Sequence, residues 1–244
     1  MDANYDARRR SALRALTGAS LLIATGALPA LAQGVAQNER QQAAARKTLS
    51  DGLVPVTEVM MRGNALVDRV LLIYEAGIRR VGGGEDIELV VFKQTAEVMR
   101  DFVHDIHEKA EEELVFPHFK KAGRMVPLVD ALVAQHAKGH QLTTTILQNA
   151  ATANTTEKKA ALLEAMKATL VLYRAHTSRE DTDLLPTLRS LVTPVQFEEI
   201  SETMDKKLRD AFGPDGLDKV AKRIEALEKK IGVHELGTEA KPKE

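Results

Sequence analysis

The chain has 244 residues, long enough for one large or two small domains, and its 34 basic against 35 acidic residues leave a formal charge of -1, which gives nucleic acid no electrostatic footing. Cysteine is absent, excluding thiol catalysis, disulfides, zinc-thiolate and iron-sulfur sites together, so any metal must be held by His, Asp and Glu. Aromatic residues make up only 4% while Ala, Leu, Glu and Lys abound, a bias toward helix.

The amino terminus reads as an address. Arg8, Arg9 and Arg10 precede a mildly apolar run that closes on the small-x-small pattern Ala30, Leu31, Ala32. The order Arg9, Arg10, Ser11, Ala12, Leu13, Arg14 resembles a twin-arginine signal, and Gly, Thr and Ser dilute the run as that export route favours. A signal peptide is expected over 1–32, with the mature protein periplasmic or secreted. Residues 33–50 are polar and Ala-rich without an apolar stripe, as in a linker or frayed helix. No later segment approaches the roughly 20 apolar residues of a membrane span.

The first long helix is expected from about Val56 to Arg80, ending at Gly82, Gly83 and Gly84. Met60, Val67, Leu71 and Tyr74 form its apolar face, and Asn64 interrupts that face with an amide. A second helix runs from near Asp86 to about Lys121 with Phe92, Ala96, Met99, Val103, Ile106, Ala110 and Leu114 inward, and Pro117 is expected to kink or stop it. Pro127 opens a third, carrying Leu128, Leu132, Thr143 and Ile146, to about Asn149. Thr155 or Thr156 caps a fourth that reaches about Leu191. Short turns between long helices predict an all-α fold, an antiparallel four-helix bundle over 51–191. Thr193 and Pro194 then start a helix to about Phe212, and "GPDG" turns into a last one ending near Ile231, a C-terminal two-helix extension over 192–236 before a loose tail at 237–244.

Histidine carries the chemical signal. His107 and Glu111 stand i, i+4 on the face of Val103 and Ala110; His136 and His140 repeat the spacing in line with Leu128 and Leu132; His176 and Glu180 repeat it in line with Met166 and Tyr173. Each buried polar group without a partner costs about 1 to 3 kcal/mol. Several of them on one core approach a domain's whole stability of about 5 to 15 kcal/mol. A metal ion removes that penalty, since carboxylate and neutral imidazole are the donors it needs.

The stretches "FVHDIHEKAEEELVFPHF", "LVAQHAKGHQLT" and "YRAHTSREDTDLLPTL" resemble the hemerythrin-like, or HHE cation-binding, domain, and the likeness extends over about residues 54–232. The resemblance implies a four-helix bundle around two irons bridged by two carboxylates and an oxo or hydroxo group. It implies His107, His136, His140 and His176 as imidazole ligands and Glu111 as one bridge. The other bridge is Glu180 in the His-x3-Glu form of the motif or Asp181 in the His-x4-Asp form; the i, i+4 alignment with His176 favours Glu180.

The chain departs from the pattern in its first helix. Where relatives read Arg-Glu-His, it reads Arg62, Gly63, Asn64, so an amide replaces a ligand histidine. Asn64 or water completes a more open second site, His104 substitutes from one turn before His107, or the second metal is held weakly or lost. His118 and His234 read as surface residues. The resemblance implies a di-iron protein that binds or reacts with O2, peroxide or nitric oxide, and the change at Asn64 points away from reversible carriage and toward reaction chemistry. The competing expectation is a binding or structural bundle holding one metal or none. No nucleic-acid partner and no membrane span are expected.

Overall fold

In a computed structural model that describes residues 37–43, 52–85, 87–151 and 155–235, every regular element is a helix. The chain divides into two compact units, Met1–Ala43 and Ala44–Glu244. In the first, residues 37–43 are helical, within the stretch read as a linker or frayed helix. The expected signal peptide and the tail lie outside the described residues.

Helix α1 (Val56–Gly82) buries Val59, Met60, Val67, Val70, Leu71 and Tyr74 on one face. It runs two residues past the expected stop, closing with the Gly83 N–H on the Arg79 carbonyl at 3.0 Å. The second helix begins at Val90 rather than near Asp86, after a tight turn in which the Val91 and Phe92 N–H groups reach the Glu88 and Leu89 carbonyls.

That helix, α2, is not uniform. An α-helical start, Val90–Val98, passes into the wider π-helical segments Met99–Glu108 and Glu111–Val115, then returns to α-helix over Phe116–Ala122. Pro117 therefore does not stop the chain; the helix continues past it in a changed register. Proline lacks the N–H that would bond back four residues and clashes with that carbonyl, and a widened turn just before it relieves both. The fourth helix, α4, repeats the device: α-helical Thr156–Arg179, π-helical Glu180–Leu184, then Leu185–Leu188 across Pro186. Glu111 and Glu180 each open the π segment that precedes a proline. A π turn advances fewer degrees per residue than an α turn, so α2 presents a broad buried arc that includes Val103, His104, His107, Glu108 and Glu111.

Gly123, left-handed at φ 63°, ends α2, and Pro127 sits in the first turn of α3 (Val126–Ala150). The Thr155 hydroxyl accepts from the Lys158 N–H to cap α4. Helix α1 packs on α2 and α4, and α3 on the same two, closing a four-helix ring around the buried side chains. Helix α5 (Pro194–Phe212), started by a reciprocal capping box between Thr193 and Gln196, and α6 (Leu217–Ile231) pack against α1 and α2. The Arg69 guanidinium fixes this hairpin with two bonds to the Glu228 carboxylate, 2.8 and 2.6 Å, and the buried Val56 N–H donates to Ser201 Oγ at 3.0 Å. No helix among the described residues is long and apolar enough to cross a membrane.

Candidate metal centre

Four buried side chains from three helices meet inside the ring: Glu111 from α2, His136 from α3, and His176 and Glu180 from α4, with ligand atoms all within 4.8 Å of one another. The outward nitrogen of each imidazole is anchored. His136 Nδ1 donates to Glu112 Oε1 at 2.7 Å and His176 Nδ1 to Gln135 Oε1 at 3.0 Å. Both Nε2 atoms are thereby turned inward, 3.3 Å apart. The His176 nitrogen lies 3.3 Å from Glu180 Oε1, and the His136 nitrogen 3.5 Å from Glu111 Oε2.

The carboxylates of this set have no hydrogen-bond donor. Among the described residues, the buried side-chain atoms without a hydrogen bond are the Tyr74 hydroxyl, His107 Nδ1 and all four carboxylate oxygens of Glu111 and Glu180. Two atoms each about 2.1 Å from one ion stand about 3.0 to 3.4 Å apart between right-angled and tetrahedral geometry. The distances above fall in or beside that interval and are longer than charge-assisted hydrogen bonds. The donor set and its spacing fit a divalent or trivalent cation.

The electrostatics agree. Burial works against the Glu111 charge, but the neighbouring imidazoles of His107 and His136 more than offset it and hold the carboxyl below its ordinary range. Burial, and then the Glu111 charge, push Glu180 up. For His136, burial favours the neutral ring, yet Glu111 and Glu108 win and raise it to about 9.

His107 stands beside the four. Its Nε2 is 3.2 Å from Glu111 Oε1 and 3.0 Å from Asn64 Oδ1, while Asn64 Nδ2 donates to Asp181 Oδ1 at 2.8 Å. The amide on the buried face of α1 thus joins two residues the sequence offered as ligands, and Asp181 lies outside the four-residue group that holds Glu180. Gly63 makes this possible: a Cβ there would come within 2.4 Å of His107 Cε1. The stacked Phe116 ring covers His136, and Phe102 lies against His107.

His140 goes elsewhere. Four residues advance about 40° beyond a full α-helical turn. While His136 faces His176, His140 faces the π-helical arc of α2, its Nε2 3.1 Å from Glu108 Oε2 and its side chain 53% exposed. His104, buried on that arc, joins it at Glu108. Sequence reasoning passed over Glu108, Glu112, Gln135, Tyr173, Thr143 and Gly63 as parts of these clusters. The two prolines were a signal only for Glu111 and Glu180, which open the π segments just before them; Glu108 closes an earlier π segment that no proline marks.

The hemerythrin HHE cation binding domain matches residues 56–188. Uncharacterized proteins of Mycobacterium bovis and of two Mycobacterium tuberculosis strains are each 33% identical over 187 residues, 75% of this chain and 73% of the relative. No solved structure matches the chain.

Proposed function

Because this chain belongs to the hemerythrin HHE cation-binding family, we propose that it is a non-haem iron protein that binds or reacts with O2, peroxide or nitric oxide at the centre of its bundle. The observation that carries the reading is the central cluster: two buried carboxylates with no hydrogen-bonded oxygen and two imidazoles whose Nε2 atoms face each other. Glu111, His136, His176 and Glu180 would hold the metal. Glu112 and Gln135 set the two rings, and Phe102 and Phe116 keep bulk water out. Iron held there would supply redox chemistry and an electrophilic position for a small oxidant.

A di-iron form would draw on His107 and an open position near Asn64. The contact between His107 Nε2 and Asn64 Oδ1 favours a second reading, a single ion held by the four central ligands. Metal analysis of the chain purified without added metal, with an optical spectrum before and after peroxide, tests both. The expected result is bound iron, lost in Glu180→Gln, and a spectrum that peroxide changes. Iron far below one per chain, together with a thermal midpoint unmoved by chelator, overturns the proposal. Stoichiometry separates one iron from two.

We also propose export through residues 1–32, on the strength of Arg9, Arg10 and the run closing at Ala32. Replacing Arg9 and Arg10 together by lysine is expected to retain the protein in the cytoplasm. An unchanged distribution between cell fractions overturns this.

A further inference from the structure

One turn along α3 from His136, a second group of metal-ligating side chains gathers at the edge of the bundle. His104 Nδ1 lies 2.8 Å from Glu108 Oε2 and His140 Nε2 lies 3.1 Å from the same oxygen, so both imidazoles converge on one point. Ligand atoms of all three residues fall within 4.8 Å of one another. The atoms facing away are already held: His104 Nε2 is hydrogen-bonded to Thr143 Oγ1 at 2.8 Å, and the Tyr173 hydroxyl donates to Glu108 Oε1 at 2.6 Å. Ligands of a bound metal are typically oriented by such outer partners, which fix the ring and carboxylate and leave one lone pair of each aimed inward. Gly139 admits the tyrosine, since a Cβ there would come within 2.2 Å of its hydroxyl. His104 and Glu108 are buried and His140 is half exposed, so the group opens toward solvent on one side.

We propose that His104, Glu108 and His140 form a second cation site, separate from the bundle centre, for a divalent ion of the zinc or cobalt class. Two imidazoles and one carboxylate suit borderline ions rather than magnesium or calcium, which prefer oxygen throughout. Three protein ligands leave a further position facing the exposed side, as in sites that bind water or a small anion. Binding would displace the protons that the two rings share with Glu108.

The test uses the full chain, stripped with chelator and titrated with Co2+ alone, followed by equilibrium dialysis and visible absorption. In a Glu180→Gln chain, whose centre is disabled, one Co2+ should still bind. Adding His140→Ala, a change at a half-exposed position, should remove it. Thr143→Val should weaken it about 10- to 100-fold, with an unchanged circular dichroism spectrum. If Glu180→Gln abolishes all Co2+ binding, the outer cluster is a hydrogen-bond network and the proposal falls. It falls equally if His140→Ala empties the centre in an otherwise intact chain, because His140 then serves that site. A wild-type chain that binds a single Co2+, removed by His140→Ala and spared by Glu180→Gln, upholds the outer site and defeats the central reading instead.

Discussion

The two histidine clusters use similar residues and differ in how their polar atoms are satisfied. At the edge, Glu108 accepts from His104, His140 and Tyr173 at 2.6 to 3.1 Å, and its carboxyl is held low because the imidazoles of His104 and His140 outweigh burial. At the centre, Glu111 and Glu180 face two inward nitrogens at 3.3 to 3.5 Å with no hydrogen bond to any of the four oxygens. The edge can persist on its own hydrogen bonds. A carboxylate pair in the core cannot do so without a cation.

The sharpest way to break this contrast is Glu180→Gln. At the centre it should lower metal affinity by more than about 100-fold, exceeding the loss typical of an outer partner. Removing one of two like charges should at the same time raise the thermal midpoint of the metal-free chain. A variant that keeps central metal, or whose metal-free form melts earlier, rules out a centre in which Glu111 and Glu180 depend on a cation.

Next in size is Gly63→Ala, which forces a methyl into the His107 ring and should cost about 1 to 3 kcal/mol in urea unfolding. A cost near zero means the ring is free to move, and His107 is then not fixed by Asn64. Asn64→His should raise central iron toward two per chain and strengthen an iron-oxo absorption band, imidazole being the better donor; an unchanged metal count ends the idea that this position limits the second ion.

The smallest effect is one of pH. His136 is raised from 6.5 to about 9, so without metal its charged form adds stability that is complete below about pH 6.5 and lost as pH climbs through 9. Metal competes with that proton, so apparent central affinity should rise by up to about tenfold per pH unit toward pH 9 and then level off. A competition titration at pH 6, 7, 8 and 9 checks both the slope and its sign.

Much of this architecture is legible in one dimension. The apolar stripes, the glycines after α1, Pro127 and the Thr155 and Thr193 caps mark the helices because periodicity and capping are local properties of the chain. The three i, i+4 pairs and the punctuation after them identify the family for the same reason. The absence of cysteine restricts any metal to imidazole and carboxylate before a fold is considered.

The division of labour among those residues is not local. Spacing makes His136 and His140 equivalent, yet one meets His176 and the other meets Glu108, because neighbouring helices approach α3 from different sides. Asn64 looks like a lost ligand in the sequence. Packing makes it a bracket between His107 and Asp181, with Gly63 providing the room. The π-helical turns before Pro117 and Pro186 decide which carboxylates face inward, and that choice depends on how a helix relieves a missing hydrogen bond against the neighbours packed around it. The sequence by itself determined the helices, the family and the donor types; only tertiary packing decided which donors share a centre, because side chains brought together from different helices have no common period along the chain.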